Sequence, residues 1–217
     1  MYTYELSNNH YIVNIEGYKF LLDTGSPVSF SLRPGLNSVV INGKTYPLRK
    51  DPFQMDMKST LELVGTRMDG FIGMDIICQT SLTIYKDGRI DFKANNEKGI
   101  ELELASANRI KCFCNGVAGA YLIDTGARYG YGIERLFQCQ KPFDNVSDYN
   151  PFLGHFKSDM YHVTVDFGKV KKEVDICNNP AVRNDLVMTN SIIVANLTTL
   201  FDEVCVIDEQ EQKLILR

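Results

Sequence analysis

The tripeptide Asp-Thr-Gly occurs twice, each time closing an apolar run: Phe20-Leu21-Leu22-Asp23-Thr24-Gly25-Ser26 and Tyr121-Leu122-Ile123-Asp124-Thr125-Gly126-Ala127. Asp23 and Asp124 lie 101 residues apart (124 − 23) in a chain of 217. A hydrophobic strand that carries a carboxylate into a turn, repeated at about half the chain length, predicts two similar halves with one carboxylate each. The surroundings repeat as well. Tyr11–Ile15, a bend at Glu16-Gly17 and Tyr18–Leu22 lead into Asp23, as Lys111–Cys114, a bend at Asn115-Gly116 and Ala118–Ile123 lead into Asp124. Leu82–Tyr85 and Arg89–Phe92, joined at Asp87-Gly88, are mirrored by Val204–Ile207 and Leu214–Leu216.

Two carboxyl groups about 3 Å apart cannot both ionise, so they share a proton. The ionised partner takes a proton from a water between them while the protonated one donates to a carbonyl oxygen, which is the chemistry of peptide hydrolysis. On these two motifs the chain resembles the aspartic protease family, as a single-chain, two-lobed form of the retropepsin-like fold. The resemblance implies an all-β protein of two similar retropepsin-like or pepsin-like β-barrel lobes, residues 1–98 and 99–217, with a cleft between them. The polar break Asn95–Gly99 sets the boundary. It also implies an aspartic endopeptidase whose catalytic residues are Asp23 and Asp124, with a peptide or protein substrate and no metal or organic cofactor. Thr24 and Thr125 would interlock across the lobes, Gly25 and Gly126 would donate amides to the carboxylates, and Ser26 would add a hydroxyl to Asp23 that Ala127 cannot supply to Asp124. Losing that donor would move the acid limb of the pair upward, toward activity at mildly acidic to neutral pH. The competing class is a non-catalytic peptide- or protein-binding module on the same scaffold.

Within the family an apolar-apolar-Gly element packs behind each catalytic turn, and Phe71-Ile72-Gly73 matches it, Gly73 allowing two backbones to approach. Val187-Met188-Thr189 is read as its counterpart, because Ser191-Ile192-Ile193 then aligns with Asp75-Ile76-Ile77; glycine is missing there, and the second half is 15 residues longer over this interval (189 − 124 against 73 − 23). The extra residues fall around Tyr149–Phe156 and suggest a flap hairpin with Phe152, Leu153 and Gly154 at its tip. The alternative flap is Val39–Leu48, an Asn42-Gly43 hairpin that would hold Tyr46 over the cleft. Arg128, directly after the second motif, either favours an acidic or polar substrate side chain or is structural. Leu61–Val64 reads as a further strand.

A net charge of −4 without a long basic block argues against a nucleic-acid or membrane-surface partner. No stretch approaches 18 apolar residues and no signal-peptide pattern opens the sequence, so a cytoplasmic chain without a propeptide is expected, monomeric because both aspartates are in cis. Six irregularly spaced cysteines are then expected to be reduced, buried and inert; Cys112 and Cys114 with His155 or His162 lack the paired spacing of a zinc site. Asn145-Val146-Ser147 and Asn196-Leu197-Thr198 match the glycosylation pattern and mean little in a cytoplasmic chain.

Overall fold

Short apolar strands joined by tight two-residue turns build the first half. β1 (Tyr2–Ser7) turns at Asn8-Asn9 into β2 (His10–Ile15), which turns at Glu16-Gly17 into β3 (Tyr18–Leu22). These four turn residues have φ of 46°, 69°, 54° and 83°, the left-handed backbone that lets a turn follow the twist of its strands. Side chains alternate between two sides: Val13, Ile15, Phe20 and Leu22 enter the main core, while Ile12 and Leu21 join a smaller cluster with Phe30 and Phe71. The chain continues through β4 (Phe30–Ser31), β5 (Ser38–Ile41), β6 (Lys44–Pro47), β7 (Arg49–Lys50), α1 (Met57–Val64), β8 (Gly70–Ile72), α2 (Met74–Thr80), β9 (Leu82–Tyr85) and β10 (Arg89–Asp91). This is a computed structural model, and it describes residues 1–52, 57–105, 108–150 and 153–217.

The segment read as a strand at Leu61–Val64 is the end of α1 instead. Gly65, at φ +77°, closes the helix by donating its amide to Leu61 O at 2.8 Å. Leu61 and Val64 are three apart, a helical spacing, and Leu61 is exposed while Val64 is buried.

The second half comprises β11 (Ile100–Ala105), β12 (Arg109–Cys114), β13 (Val117–Ile123), β14 (Gly130–Gly132), β15 (Asp144–Asn150), β16 (Gly154–Asp166), β17 (Lys171–Asn178), α3 (Arg183–Met188), β18 (Ile193–Ala195), β19 (Val204–Asp208) and β20 (Lys213–Leu216). The protein is mostly β, and all described strands but β5 and β6 belong to one extended sheet. One pairing scheme occurs twice in it. β3 runs parallel to β8 with Leu22 opposite Ile72, and β13 runs parallel to β18 with Ile123 opposite Ala195. β4 is antiparallel to β8 and parallel to β7; β14 is antiparallel to β18 and parallel to β17.

That register corrects the alignment of the second half. The counterpart of Phe71-Ile72-Gly73 is Val194-Ala195-Asn196, whereas Val187 and Met188 end α3 with 69% and 85% of their surface exposed. The glycine position is therefore Asn196, and the second half is longer by 22 residues over this interval (196 − 124 against 73 − 23). A helix follows Gly73 but only a short turn follows Asn196, so the spacing of apolar residues after the glycine was a false guide.

β1, β10, β9, β19, β20 and β11 pair in that order as neighbours, with β9 against β19 where the halves meet. The main core draws on both halves.

Candidate active site

β3 and β13 end at Asp23 and Asp124, and each aspartate amide is held by the parallel neighbour: Asp23 N–H donates to Ile72 O and Asp124 N–H to Ala195 O, both at 2.9 Å. The chain then turns back on itself, Ser26 N–H reaching Asp23 O and Ala127 N–H reaching Asp124 O at 3.2 Å. Inside each turn the glycine amide donates to its own carboxylate, Gly25 to Asp23 Oδ1 at 3.0 Å and Gly126 to Asp124 Oδ1 at 2.9 Å.

The two turns are interlocked through their threonines. Thr24 N–H donates to Thr125 Oγ1 and Thr125 N–H to Thr24 Oγ1, each at 3.0 Å. The hydroxyls pass the bond on, Thr24 Oγ1 to Ile123 O at 2.8 Å and Thr125 Oγ1 to Leu22 O at 2.7 Å. Both threonines are buried, so these four bonds satisfy groups that water does not reach. The interlock brings each glycine under the opposite carboxyl group. A Cβ on Gly25 would stand 2.5 Å from the Asp124 carboxyl, and one on Gly126 2.4 Å from Asp23 Oδ1. Only glycine fits at either place.

Asp23 and Asp124 face one another, each carboxyl against the glycine of the other's turn and near enough for the charge of one to act on the other. Burial, and then the charge of Asp124, push Asp23 well above the usual carboxylate range; burial likewise raises Asp124. The amides of Ser26 and Gly25 on Asp23, and of Gly126 and Ala127 on Asp124, pull the other way and stabilise ionised carboxylate. Desolvation outweighs them. The pair therefore gives up its protons less readily than free carboxyls do.

Ser26 does not act as expected. Its amide, at 3.0 Å, rather than its hydroxyl reaches Asp23 Oδ1, and the hydroxyl caps its own turn by donating to Val28 O at 2.9 Å. The Ala127 amide donates to Asp124 O at 3.2 Å, so Asp23 Oδ1 accepts two turn amides and Asp124 Oδ1 one, and burial is the largest influence raising the Asp124 carboxyl. Gly73 meets the requirement for close approach: a Cβ there would be 2.6 Å from Val28 O. Its amide donates to Ser29 Oγ at 2.8 Å, and Ser29 donates from Oγ to Asp75 Oδ1 at 2.6 Å, so Asp75 braces the first turn through Ser29 and Gly73. Neither Ser29 nor Asp75 was singled out from the sequence.

Tyr46 does not lie over a cleft. It is 5% exposed and packs into the main core with Val39 and Ile41. The β15–β16 hairpin is the longer one, paired from Asp144 opposite Met160 to Asn150 opposite Gly154, with Val146 and Phe156 packed against Tyr131 and Met160. At its end Leu153 is 42% exposed and Gly154 has φ +72°, whereas Phe152 lies outside the described residues. α1 of the first half lies against β15. Near its tip the hairpin is fastened to β14, the strand leaving the second turn, by Tyr131 Oη donating to Asp148 Oδ2 at 2.5 Å. Arg128 is half-buried, its guanidinium 5.1 Å over the Tyr129 ring and its carbonyl accepting Asn9 Nδ2 at 2.8 Å.

Of the remaining candidates, His10 is buried with Nδ1 3.3 Å from Ser7 O, and burial lowers its pKa. His162 is exposed with Nδ1 2.6 Å from Asp175 Oδ1. Four cysteines are buried, and burial pushes the Cys112 thiol to about 12 and Cys114 to about 11; Cys78 and Cys139 are exposed, contrary to the expectation of burial. No described helix is long and apolar enough to cross a membrane.

Neither a protein-family model nor a curated protein matches the chain. Among solved structures it is similar to the protease of simian foamy virus (mac), at 16% identity over 42% of this chain and 90% of that one, with a TM-score of 0.33. That likeness is too slight to argue from.

Proposed function

We propose that the protein is an aspartic-type endopeptidase in which Asp23 and Asp124 activate water for peptide hydrolysis. Residues 1–98 and 99–217 form two retropepsin-like lobes, with the substrate cleft between them and the β15–β16 hairpin as the flap. The observation that carries this reading is the pair itself. Two carboxyl groups, raised together by burial, face each other on turns that the Thr24–Thr125 interlock holds in place.

One carboxylate accepts a proton from the water as its oxygen attacks the scissile carbonyl carbon. The other carboxylic acid gives its proton to the carbonyl oxygen, yielding a neutral tetrahedral diol. Collapse of the diol breaks the carbon–nitrogen bond, the amine leaves with a proton returned through the pair, and the proton count is restored. The amides of Gly25, Ser26, Gly126 and Ala127 stabilise whichever carboxylate is ionised and keep the geometry fixed between steps. With both aspartates in one chain, catalysis needs no second copy.

Incubation with a diverse peptide library between pH 4 and 8, beside Asp23→Asn and Asp124→Asn, tests the proposal. Cleavage by the native chain and none by either variant is expected. Binding of peptides without cleavage, unchanged by either substitution, would instead make the protein a peptide-binding module.

A further inference from the structure

The two catalytic turns are braced by different means. The first is supported from within its own half by Gly73, Ser29 and Asp75. At the position equivalent to Gly73 the second half carries Asn196, 5% exposed, and its side chain fills the space that the glycine leaves to backbone. Asn196 Nδ2 donates toward Thr125 O at 3.2 Å and Ala127 O at 3.0 Å, the carbonyls on either side of Gly126. It also lies 2.9 Å from Asn9 O, in the β1–β2 turn of the first half. On the other edge Asn196 Oδ1 accepts Thr198 N–H at 3.2 Å, and Asn196 O accepts Tyr121 Oη at 3.0 Å. A reversed amide would set its oxygen against three carbonyls, so this orientation alone satisfies the site. Asn9 completes the bracket from its own side chain, Nδ2 donating to Arg128 O at 2.8 Å. Asn8 and Asn9 both hold positive φ, which aims that turn at the second Asp-Thr-Gly.

We propose that Asn196 is a positioning residue for Asp124, fastening the second catalytic turn to the Asn8-Asn9 turn of the opposite half in the role that Gly73 and its partners serve for the first. The proposal rests on reading the Asp23–Asp124 pair as catalytic. Asn196 touches neither carboxylate. It fixes the carbonyl of Thr125, and thereby the peptide plane whose amide, Gly126 N–H, donates to Asp124, and through the carbonyl of Ala127 it holds the peptide that leaves the turn. Without it the turn relaxes, the Gly126 amide drifts from the carboxylate, and the ionised form loses stabilisation. The same engagement closes Asn196 to glycosylation in the folded chain, since its amide nitrogen is buried and fully committed.

The test compares Asn196→Gly, which installs the residue the first half uses, with Asn196→Ala, Asn9→Gly and the core variant Leu214→Ala. Kinetics on a peptide selected from the library should show kcat falling about 10- to 100-fold in both Asn196 variants, because a small misplacement of a reacting group is costly. KM should change little, and the acid limb should move up by about half a pH unit or more. Asn9→Gly, which keeps the turn conformation and removes only the bond to Arg128 O, should move both quantities the same way and less. Leu214→Ala should lower the melting temperature and leave the acid limb in place, which separates positioning from mere stability. A native acid limb and kcat in folded Asn196→Gly would overturn the inference while leaving the protease reading intact. If the native chain cleaves nothing, that reading fails instead, and carboxyl-carbon NMR titration of Asp124 decides the inference: an upward shift in Asn196→Gly supports it and identical titration overturns it. If both Asn196 variants fail to fold, Asn9→Gly decides, an unshifted acid limb counting against the bracket.

Discussion

Hairpins β5–β6 and β15–β16 leave the molecule at corresponding points, each between the strand that follows a catalytic turn and the strand that pairs parallel with it. They end in opposite situations. In the first, strands of four residues put Val39, Ile41 and Tyr46 into the core, and the hairpin becomes part of the wall. In the second, strands of seven and 13 residues leave the main core and pack on a smaller cluster with Tyr131 and Met160, and Leu153 at the connecting turn is exposed. One connection therefore joins the main core in one half and reaches past it in the other, and strand length makes the difference. α1 reinforces the division: supplied by the first half, it lies against β15 of the second.

The turns, unlike the hairpins, should prove equivalent in the chemical step. Asp23→Asn and Asp124→Asn are each expected to reduce kcat by at least about 10³-fold, since each removes one member of a single acid-base unit; unequal losses in single-turnover assays would break the equivalence. The hairpins should then separate sharply. Tyr46→Ala is expected to cost about 3–5 kcal/mol in denaturant unfolding with KM unchanged in whatever remains folded, as for other large core aromatics. Thr24→Val and Thr125→Val each orphan buried amide and carbonyl groups and should cost about 1–3 kcal/mol apiece, similar in the two halves. Smallest is Leu153→Ser, expected to raise KM a few-fold with no change in melting temperature.

The pair has a further signature in the dependence of stability on pH. Its carboxyls are raised in the folded chain, so the native state binds a proton that the unfolded chain releases above the ordinary aspartate value near about 3.9. Stability contributed by the pair is accordingly greatest at low pH and declines as pH rises toward the folded value. Asp23→Asn should melt above the native protein at pH 7, and the gap should narrow toward pH 4; a gap that widens on acidification would mean that the pair is not held protonated.

The parts of the fold legible in the sequence are local. Glu16-Gly17, Asn42-Gly43, Asp87-Gly88 and Asn115-Gly116 announce turns because few other residues accept their backbone, and the two Asp-Thr-Gly runs mark the ends of β3 and β13. What failed depended on distant partners. β8 and β18 are three residues each, too short for periodicity, and only their parallel pairing with β3 and β13 reveals that Asn196 takes the place of Gly73. Leu61–Val64 carries an apolar spacing that fits a strand or a helix over four residues. The hydroxyl of Ser26 had two acceptors within reach, and no sequence pattern chooses between a carboxylate and the carbonyl of Val28.

The meeting of β9 with β19 carries one more consequence. Thr83 opposite Val206 and Ile84 opposite Cys205 is a contact between corresponding strands of the two halves, the self-complementary kind that a twofold dimer makes with its own copy. In a dimer any substitution appears on both sides of the axis, and assembly depends on concentration. Joined in one chain, the partner is always present, and each side is free to vary alone. Asn196 in the place of Gly73, and a long hairpin in the place of a short one, are differences that a symmetric dimer has no means of encoding.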